Sequence, residues 1–376
     1  MGFFSLQSGS IHGMLARAVQ VEVDISFGLP RFSIVGLPDA AVQESKERIR
    51  SALQNSGYPF PKTVITVNLA PAHERKQGSH HDAAIALALL AAEDLIITSH
   101  VPHIFIAAEL GLSGELRSVR GVLPLALHAK KQGIKHIMVA PSDAELLKHI
   151  PEIHAHGCKD LKTLINLLSQ KEIPIHSLPT NNSQLHTSQK PHPFSHIRGH
   201  HLAKRALMIA IAGNHPLLLV GPPGSGKTLL AKSSQHLLPP LSFDEALEVA
   251  CINSIQQEHQ EQTFTYTRPF RSPHHHTSTA ALIGGGSHIV PGEITLAHRG
   301  ILFLDELPEF PQRSLEALRQ PLEAKEVHIA RASGHVVFPA NTQLICAMNP
   351  CPCGFFGDRE RVCICEPKKV KRYQER

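Results

Sequence analysis

The sequence predicts two α/β domains, the second built on a parallel nucleotide-binding sheet. Three observations carry that prediction. A glycine-rich turn, Gly221-Pro222-Pro223-Gly224-Ser225-Gly226-Lys227-Thr228, follows the apolar run Leu217–Val220 and leads into a helix. A second apolar run, Ile301-Leu302-Phe303-Leu304, ends in the carboxylate pair Asp305-Glu306. Over residues 171–195 the periodic patterns lapse into sequence such as Leu178-Pro179-Thr180-Asn181-Asn182-Ser183, which forms loops. That stretch reads as a linker between a domain at 1–170 and a domain at 196–376, and 376 residues are a comfortable length for two.

In the first domain, Val19–Asp24 and Arg31–Val35 alternate around a Gly28-Leu29-Pro30 turn, which predicts a hairpin. Asp39–Asn55 has helical periodicity and a stop at Gly57. Thr63–Leu69 is rich in β-branched residues and predicts a strand, followed by a helix from Asp82. His136–Ala140 predicts a short buried strand, with Ser142 as the cap of the next helix. In the second domain helix and strand alternate as in a parallel sheet, and Gln343–Ala347 is a further strand, ending in Met348-Asn349-Pro350.

The turn at 221–228 fits the GxxxxGK[ST] pattern, and a strand before it with a helix after it makes the match specific. Glycines let backbone N–H groups wrap a phosphate chain, and the positive end of the helix adds to the attraction. Lys227 would reach the β- and γ-phosphates of ATP, and the Thr228 hydroxyl would hold Mg²⁺. Asp305 suits the same metal shell, and Glu306 suits polarisation of an attacking water. The nucleotide-binding set is therefore Gly221 to Leu229, with Lys227, Asp305, Glu306 and Asn349 as the candidate catalytic groups.

Composition narrows the remaining options. An apolar fraction of 42% supports true cores and excludes global disorder. The net charge of +5 permits a nucleic-acid partner without arguing for one, because binding needs a local basic stripe. The N-terminus lacks the pattern of a secretory signal, and the longest apolar run, Ala83–Ala92, is ten residues, which reads as a buried helix. The expected location is cytoplasmic, with no membrane partner. Of seven cysteines, four lie in Cys351-Pro352-Cys353 and Cys363-Ile364-Cys365. Four thiols so close suggest a Zn²⁺ site, although one-residue spacing is shorter than the usual two to four, and a reduced, metal-free hairpin is the alternative. The 27 histidines are spread over both halves and read as a habit of composition.

Longer stretches carry a family resemblance. Arg268–Thr277 (RPFRSPHHHT), Ala281–Gly286, Pro291–Gly300, Leu307–Phe310 and Asn349–Gly354 resemble the ComM/YifB family, related to the magnesium-chelatase ATPase subunit within the AAA+ class. Val21–Ile25, Phe32–Val42 and Thr66–Ala72 are similar to its N-terminal domain, so the likeness covers nearly the whole chain. The resemblance implies an N-terminal domain like the Lon-protease domain, of ribosomal-S5-like α/β fold, and an AAA+ core in which Asn349 stands at the sensor-1 position. It also implies homo-hexameric rings that drive DNA branch migration with ATP, acting on branched or single-stranded DNA during natural transformation.

Further expectations follow from that family. Its clade places inserts facing the ring channel near Arg271–His276, so Arg268, Arg271, His274 and His275 are the candidate DNA contacts. Alignment with the Lon catalytic loop puts His80, not Ser79, at the nucleophile, and Leu123 where the lysine belongs, so no protease is expected. In the family, the segment bearing the arginine finger and the helical lid begins near Tyr373–Arg376, so the chain is expected to be C-terminally truncated. The rival readings are a chelatase-type ATPase that remodels a protein partner, and a remnant that binds nucleotide with little turnover.

Overall fold

Alternation of apolar and polar residues is strongest near the N-terminus, and there the chain builds a seven-stranded sheet. The computed structural model describes residues 2–97, 103–170, 173, 193–256, 264–286, 289–331, 334–358 and 360–375. It divides into two units, Met1–Asn182 with Asn253–Phe264, and Ser183–Ile252 with Thr265–Arg376. Most of the linker expected at 171–195 lies outside the described residues.

In the first unit β1 (Gly2–His12) and β2 (Leu15–Ser26) form the hairpin, in register from Gly2 opposite Ile25 to His12 opposite Leu15. Gly13, at φ 59°, supplies the left-handed residue that the turn requires. After β3 (Arg31–Val35) come α1 (Ala40–Asn55) and β4 (Val64–Ala70). This corrects the hairpin expected between Val19–Asp24 and Arg31–Val35, because β4 lies between them, antiparallel to β2 and parallel to β3. The reason is packing. Ile65, Val67 and Leu69 stand opposite Ile25, Val23 and Val21, and all six are buried on one apolar face. Parallel β3 and β4 then need a crossover, which α1 provides. Asp39 caps that helix by accepting from the Val42 N–H at 2.9 Å.

Helix α2 (Asp82–Ala92) is buried along its whole length, as its unbroken apolar run predicts. Beyond it lie β5 (Ile104–Ile106), the ribbon of β6 (Glu109–Leu110) and β7 (Leu116–Arg117), α3 (Val122–Lys131), β8 (His136–Val139), α4 (Pro141–Leu147), β9 (His154–Gly157) and α5 (Leu161–Leu168). The sheet order is β3-β4-β2-β1-β5-β8-β9. Ser142 is not the cap of α4. The helix begins at Pro141, whose fixed φ suits a first helical position, and Ala140 precedes it with no side-chain cap.

The second unit contains α6 (His201–Ala212), β10 (Leu217–Val220), α7 (Lys227–Ser234) and most of α8 (Phe243–Gln256). Then follow β11 (Phe270–Arg271), α9 (Thr279–Ile283), the pair β12 (Gly284–Gly285) and β13 (Val290–Pro291), α10 (Glu293–Leu296) and β14 (Ile301–Leu304). α11 (Gln312–Ala324), the hairpin of β15 (Glu326–Arg331) and β16 (Gly334–Pro339), β17 (Gln343–Met348) and α12 (Pro367–Gln374) complete it. Its main sheet is parallel throughout, in the order β10-β17-β14-β11. All four residues of β14 are buried, which accounts for its continuous apolar sequence. Among the described residues no helix is long and apolar enough to cross a membrane.

The positions aligned with the Lon dyad hold His80 and Leu123, both buried, while the Ser79 hydroxyl donates to the Glu109 carboxylate. Burial lowers the His80 pKa from 6.5 to about 4, against a weaker opposing pull from Asp39. A base with a depressed folded pKa gains its proton on unfolding, so its stabilising share is complete above pH 6.5 and is lost as pH falls towards 4. Asp82 and Asp143, raised by burial to about 7 and about 6, act in the opposite sense. The stability difference between the wild type and His80→Gln should therefore isolate the histidine. In urea unfolding it should shift by roughly 3 kcal/mol against the wild type on acidification from neutral pH to about 4. A difference independent of pH would show that His80 is not held neutral.

Candidate functional site

Three loops meet at one edge of the second sheet because β10, β17 and β14 are parallel neighbours in matched register, Val220 beside Met348 and Leu304 beside Cys346. Carboxyl ends of parallel strands are where such sheets bind ligands. Gly221–Thr228 leaves β10, Asn349 follows β17, and Asp305-Glu306 follows β14. Gly224 and Gly226 adopt φ of 76° and 79°, and a Cβ on either would meet nothing within 4 Å. Conformation, rather than crowding, is thus what demands glycine there. Gly226 precedes α7 with no side-chain cap, which leaves the N–H groups of the first turn available to an anion.

The side chains already converge. Lys227 Nζ donates to the carbonyls of Gly221 and Pro222 at 2.8 and 3.0 Å and to Asn349 Oδ1 at 3.1 Å. Desolvation lowers its pKa, partly offset by Asp305 and Glu306. Thr228 Oγ1 donates to Asp305 Oδ2 at 2.6 Å, and the other Asp305 oxygen accepts from the Glu306 N–H at 2.9 Å. Among the described residues the buried Ser225 hydroxyl has no hydrogen-bond partner, an unmet polar group inside the loop. Leu229 is 49% exposed beside it. A phosphate chain would satisfy Ser225 and the free N–H groups, and Thr228 with Asp305 supplies the oxygen donors that Mg²⁺ prefers. The residues present fit ATP and Mg²⁺.

Glu306 has φ 53° and a half-exposed carboxylate, and His275 Nδ1 lies 3.1 Å from it. The register explains this contact. Phe270 stands beside Ile301, and each chain runs five residues further to reach His275 and Glu306. Sequence patterns gave no sign of it, because β11 is only two residues long.

Two of the four candidate DNA contacts are committed elsewhere. Arg268 donates to the carbonyls of Pro239 and Arg299 at 2.7 and 2.8 Å and pairs with Glu245 at 3.0 Å. Arg271 makes a two-pronged pair with Glu293 at 2.7 Å on both bonds, which raises its pKa. Beside them Glu248 accepts from His298 Nε2 at 3.0 Å and Arg299 Nε at 2.9 Å. His274 is exposed and His275 partly so. These arginines tie β11 to neighbouring segments, which is a structural employment.

The four cysteines do come together. Cys351 Sγ lies 3.3 Å from that of Cys353 and 3.6 Å from that of Cys363, and Cys353 to Cys363 is also 3.6 Å. One sulfur from each of the four lies within 4.8 Å of the others. A tetrahedron of Zn–S bonds has sulfur–sulfur edges of about 3.8 Å, close to this spacing. Backbone N–H groups of Phe355 and Ile364 lower the Cys353 pKa to about 6, while Cys363 is pushed up to about 12 and Cys365 is raised as well, so without a metal ion the cluster favours one thiolate beside protonated thiols. Gly354, at φ 86°, presses this turn on the phosphate loop, since a Cβ there would sit 2.5 Å from Pro223 Cδ. Replacing Arg268 with Met should cost about 2–3 kcal/mol in denaturant unfolding, through lost charged hydrogen bonds and a weakened Glu245 pairing. An unchanged midpoint would return Arg268 to the surface contacts.

Comparison with known proteins identifies a family. A family model described as magnesium chelatase, subunit ChlI, matches residues 193–376, and one described as subunit ChlI of Mg-chelatase matches residues 21–143. The chain is 42% identical over 368 residues to the protein YifB of Escherichia coli, covering 97% of this chain and 71% of that protein. It is 44% identical over 371 residues to YifB of Salmonella typhimurium, with the same two coverages. To the competence protein ComM of Haemophilus influenzae it is 42% identical over 367 residues, again covering 97% and 71%. With a P-loop, an acidic strand end and a strand followed by Asn349, and such identity along nearly its whole length, the chain belongs to the ComM/YifB family of magnesium-chelatase-like AAA+ proteins.

Proposed function

We propose that this chain forms the core of a ring-shaped ATPase motor that acts on branched or single-stranded DNA, working as a homo-hexamer. The observation that carries the ATPase part is the pair of side-chain bonds across the strand ends, Thr228 to Asp305 from β10 to β14 and Lys227 to Asn349 from β10 to β17. Lys227 would exchange its carbonyl partners for the β- and γ-phosphate oxygens, which are stronger acceptors. Thr228 and Asp305 would hold Mg²⁺, which neutralises phosphate charge when bound. Glu306 would accept a proton from the attacking water, and Asn349 would sense whether the γ-phosphate is present. An arginine from a neighbouring subunit would complete the site.

The DNA part rests on the likeness to a competence protein and on the exposed His274 at the loop that follows β11. Branch migration during natural transformation is the activity that fits. A chelatase-type remodeller of a protein partner is the second reading, favoured by the commitment of Arg268 and Arg271 to internal carboxylates. Glu306→Gln should keep ATP affinity and lose turnover by about a hundredfold or more. The ATP-bound variant should then bind forked DNA with an affinity that falls steeply with salt, the mark of phosphate contacts. Unaltered turnover would remove Glu306 from its role. Absence of DNA binding in every nucleotide state would leave the remodeller.

The cysteine turn is proposed as a structural Zn²⁺ site closed by Cys351, Cys353, Cys363 and Cys365. Protein purified without added metal should hold about one equivalent of zinc, and Cys353→Ser should hold far less. Under a tenth of an equivalent in the wild type would reject the site.

A further inference from the structure

His274, His275 and His276 form a turn just after β11, and one ring nitrogen from each lies within 4.8 Å of one from each of the others. Their ring centroids are 4.1, 4.3 and 5.2 Å apart, although two of the three side chains are exposed to solvent. Core packing therefore does not explain the cluster.

The contacts decide which nitrogens face a ligand. His274 Nδ1 accepts from the His276 N–H at 3.2 Å, a long bond at an exposed turn, and its lone pair reaches a metal ion once that bond opens. His275 Nδ1 lies 3.1 Å from Glu306 Oε2, which favours the proton on Nδ1 and leaves the Nε2 lone pair free. A carboxylate behind an imidazole is the arrangement that orients histidines towards metal ions. Phe310 stands edge-on to the His275 ring at 6.5 Å.

We propose that His274, His275 and His276 bind a divalent transition-metal ion of the zinc class, with Glu306 orienting His275 from behind. This rests on the reading of Glu306 as the group that activates water. Imidazole nitrogens suit zinc, nickel and copper ions, and three of them leave a position open to water. The consequence is a brake. A carboxylate engaged by His275 is withheld from the attacking water, so metal in the turn slows hydrolysis. The coupling is reciprocal, so a nucleotide state that draws Glu306 inward weakens metal binding.

Cobalt(II) tests the site. It is titrated into the whole chain without nucleotide, with the cysteine turn first saturated with zinc. Absorption bands lacking thiolate charge transfer mark binding to imidazole. One equivalent should bind in the wild type, about tenfold or more weaker in His276→Asn, and about 10–100-fold weaker in Glu306→Gln. Equal affinity in wild type and a folded His276→Asn would overturn the site, and equal affinity in Glu306→Gln would overturn the part given to that carboxylate. These affinities are read without ATP, so they stand or fall apart from the water-activating role of Glu306. In a separate assay, cobalt should lower ATP turnover of the wild type over the same concentration range and spare His276→Asn. Equal inhibition of both, or none in the wild type with the site filled, would overturn the brake.

Discussion

Everything around the nucleotide loop depends on one strand being where it is. β17 lies between β10 and β14, so the phosphate loop and the acidic strand end are two sheet spacings apart, about 9–10 Å. That gap is wide enough for a phosphate chain and narrow enough for Thr228 on the first turn of α7 to reach Asp305. Asn349 ends the strand in between and therefore meets Lys227 from the middle. Were β10 and β14 direct neighbours, the same residues would crowd each other and leave no room for a ligand.

A belt of paired charges holds the edge of this arrangement. β11 contributes two residues to the sheet, too few to fix its loop by backbone bonds alone. Arg271 with Glu293, Arg268 with Glu245, and Arg299 with Glu248 supply the missing restraint. Arg271 grips Glu293 with two parallel bonds, a directional geometry that sets position as well as adds energy, while the other two pairs are single contacts. The turn that carries three histidines is thus held in register with the end of β14.

Much of this was legible in the sequence, for physical reasons. The phosphate loop demands left-handed glycines and a helix start, and β14 demands a continuous apolar run, so both announce themselves. The helical periodicity of α1 and the unbroken burial of α2 were equally plain. What stayed hidden depends on pairing between distant segments. The place of β4 between β2 and β3 follows from matching Ile65, Val67 and Leu69 to β2, which no local pattern contains. The employment of Arg268 and Arg271 follows from acidic residues in α8 and α10, and a basic residue reads the same whether it faces solvent or a buried partner. The contact of His275 with Glu306 needed the parallel register of a strand too short to predict.

The close approach of Gly354 to Pro223 joins two regions that the sequence keeps far apart. A flexible loop gains affinity for its ligand when something outside it limits the shapes it can take, since less order is then lost on binding. Here that restraint is the turn that gathers four thiols. The grip on phosphate is in this sense inherited: the loop supplies the contacts, and the cysteine turn leaning on Pro223 limits how far they can wander.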